Sequence, residues 1–482
     1  MKLYSSNESY KLYQGNMLDM LEVIEPNSID SIITDPPYEL NFMSKGWDNA
    51  GVSFQTDTWK KCYDVLKDGG YLLAFGGSRT FHRIACAIED AGFEIRDTIM
   101  WLYGSGFPKS MNISLSLDKK QGLQNQRGIG GFNVGGIQEQ QNRKAKLYIG
   151  STTDGSKQKA YTDFKSDLSK KWGGWGTALK PSFEPIIVAR KPFKGSLVDN
   201  VIKNGVGGIN IDECRVAYEK TANPATKPLY RQQNVDKYKQ VQGGELSNGA
   251  VSWTSGKNGV NENGRFPANT ILTYDETDFD EVCGGFPNTK SQKATFSNDR
   301  FKKWKEQDGC DRNIKGGSIE YGFNDSGSAS RYFYCAKASK KDRDEGCELL
   351  DDTVNACSNQ AIAELKRGND NFSDETNSTF NKVYKGKNTH PTVKPTNLMQ
   401  YLVRLVTPNG GTILDPFNGS GSTGKAVMYE NKEKNKNYKY IGIELTEEYL
   451  PISKARIEYV CNLIEKEKKE DKQISIFDEL EG

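Results

Sequence analysis

The sequence predicts an α/β protein, a largely parallel sheet with helices on both faces and a large irregular α+β insertion. Three observations predict it. Short apolar runs alternate with stretches of helical periodicity from residue 11 to 103. The same alternation returns after residue 388. Between about 200 and 388 it is lost, and aromatics lie scattered among Lys, Arg, Asn and Gly, as in Phe301-Lys302-Lys303-Trp304.

Taken in order, Lys11 to Gln14 reads as a short strand, followed by Gly15-Asn16-Met17-Leu18-Asp19. Ser31 to Thr34 is the next, with Ile32 and Ile33 as β-formers. It runs into Asp35-Pro36-Pro37-Tyr38, where two prolines stop the strand and stiffen its exit. Open parallel sheets carry their active sites at the carboxyl ends of strands. This turn presents a carboxylate, backbone carbonyls and an aromatic ring, groups suited to gripping a flat heterocycle with an exocyclic amine. Trp59, Cys62, Tyr63 and Leu66 share one helical face, and Asp68-Gly69-Gly70 is expected to end that helix. Tyr71 to Phe75 is a buried-type strand. Phe81, Ile84, Ala85 and Ile88 repeat the helical spacing up to Gly92, and Thr98 to Leu102 is another strand.

Residues 104–183 read as a loop-rich insertion, partly mobile, and 184–199 as a return to the sheet through Pro185-Ile186-Ile187-Val188-Ala189. Leu398, Leu402 and Leu405 mark a helix after Pro395. Thr412-Ile413-Leu414 and Tyr440-Ile441-Gly442-Ile443 are strands, and Ile452, Ala455, Tyr459 and Leu463 form the last helix. The mixed-charge run Glu465 to Lys472 reads as a solvated helix end or tail.

Asp415-Pro416-Phe417-Asn418-Gly419-Ser420-Gly421-Ser422-Thr423-Gly424-Lys425 follows a strand and opens a helix. Gly419, Gly421 and Gly424 fit G-x-G-x-x-G, and Glu444 ends the next strand. Such glycines permit a tight turn and close ligand approach, and such an acid binds ribose hydroxyls. The stretch also fits G-x-x-x-x-G-K, but Ala426 stands where a phosphate loop needs Ser or Thr for magnesium, which counts against an NTPase. A nicotinamide oxidoreductase would share the loop but has no use for Asp35-Pro36-Pro37-Tyr38.

Composition narrows the classes further. A net charge of +2 over 482 residues supplies no whole-molecule field toward nucleic acid, so any basic surface is local. The mean hydropathy of -0.70 is polar for an enzyme and fits long loop-rich segments. Nine cysteines without regular spacing argue against a disulfide framework and fit a reducing cytoplasm. No apolar run reaches membrane-spanning length, and the N-terminus lacks a signal peptide's apolar core. Only His82 and His390 are histidines, which weakens triad and metal schemes, and His390 is assigned to structure. Cys335, Cys347 and Cys357 lack a Cys-x-x-Cys, so no metal site is assigned.

Asp35-Pro36-Pro37-Tyr38 together with Asp415-Pro416-Phe417-Asn418-Gly419-Ser420-Gly421 resembles the signature pair of S-adenosylmethionine-dependent DNA amino-methyltransferases. Their order, catalytic motif first and cofactor loop last, resembles the permuted β class, of phage or restriction-modification type. His390-Pro391-Thr392-Val393-Lys394-Pro395 resembles the motif leading into the cofactor helix. Gly15-Asn16-Met17-Leu18-Asp19 resembles the segment lining the cofactor adenine, although Asn16 replaces the usual Asp. Trp175-Gly176-Thr177-Ala178-Leu179-Lys180-Pro181 and Tyr334-Cys335-Ala336-Lys337-Ala338-Ser339 also resemble blocks of such enzymes.

The resemblance implies a Rossmann-like methyltransferase sheet, circularly permuted, built from 1–103, 184–199 and 388–464. The insertion 104–183 would lie near the DNA face, 200–387 would be the target-recognition domain, and 465–482 a tail. Asp35, Pro36, Pro37 and Tyr38 would be catalytic. Asn16, Met17, Thr392 and Lys394 would touch S-adenosylmethionine, as would Asp415, Phe417, Gly419, Ser420, Gly421 and Glu444. The implied reaction is methylation of a flipped-out adenine at N6 in double-stranded DNA. N4-cytosine methylation and a catalytically silent DNA-binding modification subunit remain the alternatives. Lys302, Lys303, Arg331 and Lys337 are candidate DNA contacts. Gln473-Ile474-Ser475-Ile476-Phe477 resembles a peptide that docks on the DNA sliding clamp, against which stands a tail folded back on the domain. A homodimer is left open, and a bacterial or phage-infected cytoplasm is the expected location.

Overall fold

The computed structural model describes residues 2–40, 51–103, 110–123, 164–216, 264–274, 288–290, 294–296, 319–321, 326–328, 333–337, 340–351, 353–356 and 383–481. The chain forms two compact units. One comprises Met1–Gly104, Glu184–Gly346 and Thr392–Gly482, the other Ser105–Phe183 and Cys347–Pro391.

The first unit is built on a ten-stranded sheet. Its strands are β1 (Lys2–Ser6), β2 (Tyr10–Gln14), β3 (Ile29–Thr34), β4 (Leu66–Phe75), β5 (Glu94–Tyr103), β6 (Phe183–Arg190), β7 (Thr270–Tyr274), β8 (Tyr334–Lys337), β9 (Thr412–Asp415) and β10 (Lys439–Glu444). Their spatial order is β1-β2-β10-β9-β3-β4-β6-β5-β7-β8. From β2 through β4 the pairing is parallel throughout. The strands at Lys11, Tyr440 and Thr412 are neighbours, since β10 lies between β2 and β9. The permuted chain therefore closes one continuous sheet from its two ends.

The central strands are apolar on both faces, as a covered parallel sheet requires. Successive residues point to opposite sides. Ile33, Leu73, Phe75 and Ile413 enter one core with α8 (Thr396–Val406), α9 (Ser422–Lys434) and the start of α10 (Leu450–Glu481). Ile32, Leu72, Ala74 and Leu414 enter the other, with α1 (Met17–Leu21), α2 (Thr56–Val65) and α3 (Phe81–Asp90).

Several boundaries differ from expectation, each for a visible reason. Helix α2 stops at Val65, before Asp68-Gly69-Gly70, because Leu66 is fully buried and pairs with Ile29 as part of β4. Gly69, with φ of +84°, then bends the strand against the Asn200 side chain. Strand β1 was not expected; it is an antiparallel edge strand whose residues are mostly exposed, so it carries no buried pattern. Strands β7 and β8 arise within 200–387 and pair in parallel, so the sheet extends into the stretch expected to form a separate recognition domain. Helix α10 continues past Leu463 to Glu481 and includes Gln473–Phe477.

In the second unit, α4 (Ile113–Lys120) packs with α5 (Asp167–Lys171). Asp118 ties them, accepting from Lys165 N, Ser166 N and Ser166 Oγ at 3.0, 3.1 and 2.9 Å. Two short antiparallel strands, Thr353–Ala356 and Val383–Gly386, belong to the same unit. Lys302, Lys303, Arg331 and Cys357, and the side chains of Cys335, Lys337 and Gln473–Phe477, lie outside the described residues. Among the described residues no helix is long and apolar enough to cross a membrane.

Candidate active site

Four parallel strands deliver their carboxyl ends to one edge of the sheet. β2 leads to Asn16, β10 ends at Glu444, β9 ends at Asp415, and β3 leads to Asp35. Leu414 lies opposite Ile32 in the β9–β3 pair, so Asp415 and Asp35 leave the sheet from adjacent strands. Thr34 Oγ1 closes the junction by donating to Asp415 Oδ1 at 2.7 Å. The glycine elbow and the proline turn are thus joined at their bases.

Asp415 is fully engaged. Oδ1 also accepts from Phe417 N at 3.1 Å, and Oδ2 accepts from Thr423 Oγ1 at 2.6 Å. Burial pushes its carboxyl up to about 7, against the opposing pull of these three donors, and the nearby Asp35 charge adds to the rise. The elbow itself needs glycine. Gly419 and Gly421 have φ of +51° and +73°. A Cβ on Gly421 would press on Ser453, and one on Gly424 would strike Ile457 and Tyr440, where α9 packs on β10. Asn418 braces the turn, accepting from Tyr440 OH at 2.7 Å and donating to Ser453 Oγ at 2.8 Å. Glu444 accepts from Gly419 N at 2.6 Å and from Thr446 N at 2.8 Å. Burial raises its pKa, with the backbone donors working in the other direction.

The remaining expected cofactor residues divide. Asn16 caps α1, its side chain accepting from Leu18 N at 3.0 Å. Met17, expected beside it, is buried in the core. Phe417 is half-buried, its ring 6.4 Å from Trp59. Ser420 is buried, and its Oγ accepts from Arg456. Thr392 is exposed.

Lys394, expected at the cofactor, has its ammonium in the proline turn. Nζ lies 2.6 Å from Asp35 Oδ2, 3.2 Å from Tyr38 OH and 3.3 Å from Glu184 Oε2. It also sits 4.9 Å from the Phe75 ring centroid and 5.4 Å from that of Tyr38, within cation–π range. Burial disfavours this ammonium, but the Asp35 and Glu184 carboxylates outweigh burial and hold its pKa above the ordinary lysine value. Tyr38 OH donates to Glu184 Oε2 at 2.8 Å. Burial, with the charges of Asp35 and Glu184, raises the phenol well above its usual range, so Tyr38 stays neutral. Among the described residues, Asp35 Oδ1 is buried and has no hydrogen-bond partner. A buried acceptor without a donor is costly, so this oxygen is an open position for an N–H.

Glu184 was read only as the start of a strand. The signal was in the topology: β6 runs antiparallel to β4, with Ile186 opposite Phe75, so its amino end falls at the edge where the parallel strands end. Among the described residues, no group of three or more His, Cys, Asp or Glu side chains could hold a metal ion. His390 is buried in the second unit, where its backbone N donates to Asn388 Oδ1.

Comparison with known proteins supplies independent findings. A family model described as DNA methylase, of N6/N4 type, matches residues 29–455 and so includes both turns. The Type II methyltransferase M.HindIII of Haemophilus influenzae is 22% identical over 241 residues, covering 41% of this chain and 64% of that protein. The Type II methyltransferase M2.LlaDCHI of Lactococcus lactis subsp. cremoris is 38% identical over 237 residues, covering 43% of this chain and 82% of its own length. The match to M2.DpnII of Streptococcus pneumoniae spans 29% of that relative, so several of the curated relatives are matched over less than two thirds of their length. Among solved structures, the PvuII cytosine-N4-specific DNA methyltransferase aligns with 96% of both chains at 12% identity and a TM-score of 0.37.

Proposed function

This chain belongs to the N6/N4 DNA methylase family, and on that premise we propose that it methylates the exocyclic N6 amine of adenine in double-stranded DNA, with S-adenosylmethionine as donor. The observation that carries the reading is the buried Asp35 Oδ1, unpartnered among the described residues, on a turn joined to a glycine elbow.

The amine of a nucleobase is a weak nucleophile because its lone pair is delocalised into the ring. Asp35 Oδ1 and the Pro36 carbonyl would each accept one amine proton, which localises the lone pair on nitrogen. Lys394 holds the other carboxylate oxygen, which fixes the rotation of the Asp35 carboxylate. S-adenosylmethionine supplies an electrophilic methyl on a sulfonium. Gly419 and Gly421 supply the left-handed backbone that turns the elbow beneath the donor, and Glu444 would hold its ribose hydroxyls. Catalysis here is mostly positioning of nitrogen and methyl in line. The methylated nitrogen is strongly acidic and gives its proton to Asp35 Oδ1 or to water. A paired base cannot reach a turn at a sheet edge, so the base is flipped out and stacks on Tyr38.

Adenine is favoured over cytosine because Asp, rather than Ser, opens the proline turn. We assign target recognition to 200–387, and a clamp-docking role to Gln473–Phe477; fluorescence anisotropy of that peptide with purified clamp tests the latter. The main test is mass spectrometry of DNA from cells expressing the protein. N6-methyladenine is the expected product. N4-methylcytosine would reassign the base, and the absence of both products would overturn the reading.

A further inference from the structure

Behind the glycine elbow lies a buried ionic cluster that the mechanism above does not use. Its centre is Asp342, on the short helix α7 (Lys340–Asp344) that follows β8. Lys425 on α9 and Arg456 on α10 have no exposed side-chain surface. Lys425 Nζ lies 2.6 Å from Asp342 Oδ1 and 2.8 Å from Glu345 Oε2. Arg456 Nη2 donates to the Asp342 carbonyl at 3.2 Å. Asp342 also accepts from Thr396 N at 2.6 Å and Thr396 Oγ1 at 2.5 Å, at the start of α8. One carboxylate therefore joins three helices. Burial disfavours its charged form, but the Lys425 ammonium and the Thr396 donors prevail and hold the carboxyl below its usual range.

Arg456 carries the connection to the elbow. Its Nη1 donates to Ser420 O at 2.9 Å and to the hydroxyls of Ser420 and Ser422 at 3.0 Å each. These residues flank Gly421, so the guanidinium fixes the backbone that would cradle the donor. Gly346, with φ of +91°, lets the segment lie against α10: a Cβ there would meet Tyr459, Ala455 and Arg456 within 2.9 Å.

We propose that Asp342 is a positioning residue for the methyl donor: through Arg456 and Lys425 it holds the Gly419–Gly421 elbow in binding geometry. This rests on the methyltransferase reading above. Removing its charge leaves two buried cations short of a partner, and they repel or draw in water. Because Asp342 lies on the helix that follows β8, it also ties donor affinity to the placement of that strand.

The test is calorimetric titration of S-adenosylmethionine into full-length wild type, Asp342→Asn, Arg456→Lys and Ile88→Val, with thermal midpoints for each. Ile88 is buried on α3, in the core on the other sheet face from α8, α9 and the start of α10. Asp342→Asn and Arg456→Lys should weaken donor binding about tenfold or more, raise KM for the donor alike, and leave KM for DNA within about twofold. Asp342→Glu should recover part of the loss. Ile88→Val should lower the midpoint and leave donor affinity alone. If Asp342→Asn does not fold, Arg456→Lys, which keeps the charge and loses the fork, decides. Donor affinity equal to wild type in the folded variants overturns the proposal, as does an equal loss in Ile88→Val. A wild type that binds no donor overturns the functional reading itself.

Discussion

Asp35 and Asp415 stand at the ends of neighbouring strands, yet their surroundings are opposite. Asp415 is buried and bonded on both oxygens by Thr34, Phe417 and Thr423. Asp35 keeps 22% of its side chain exposed, has one oxygen on Lys394, and leaves the other without a donor. A carboxylate whose capacity is filled from within the fold acts as a pin. One held in place but left a donor short is shaped for something outside the fold.

The contrast yields predictions of graded size. Asp35→Ala should lower methyl transfer by about a thousandfold or more while sparing donor binding; full turnover in a radiolabelled methyl assay breaks the comparison. Lys394→Met should come next, with a kcat loss on the order of a hundredfold, because the Asp35 carboxylate loses the ammonium that holds its orientation. Donor affinity should stay near wild type, and a loss of donor affinity in place of kcat would return Lys394 to the cofactor role first expected of it.

Asp415 should show itself in stability and pH. Its folded pKa of about 7 lies above the unfolded carboxylate value, so the folded state holds the proton more tightly. The stability this contributes is complete below about pH 4 and is lost as pH rises to about 7. Asp415→Asn, which mimics the protonated acid, should flatten the wild-type decline of the thermal midpoint across that window. An unchanged slope would show that another group causes it. The smallest effect is expected of Thr34→Val, which removes one buried bond between the two turns and should cost about 1–3 kcal/mol in chemical denaturation.

Much of this site was legible because its determinants are local. Ile32-Ile33-Thr34 before two prolines, and Ile413-Leu414 before a glycine elbow, write a strand and its exit into a few consecutive residues. What was illegible depends on partners distant in the chain. Lys394 and Asp35 are 359 residues apart, and nothing around His390-Pro391 marks that ammonium for the proline turn. Glu184 becomes part of the site only through the reversed direction of β6. Met17 looked available beside Asn16, but the turn of α1 rotates it into the core. Asp342 sits in a polar, lysine-rich stretch, and its neighbours are chosen by helix packing that no periodicity records.

The most direct measurement is a crystal structure of the full chain with S-adenosylmethionine bound. The account predicts the donor on the Gly419–Gly421 elbow, its ribose at Glu444 and its methyl directed toward the space in front of Asp35 Oδ1 and Tyr38. A donor bound elsewhere, or a methyl directed away from the proline turn, would contradict it.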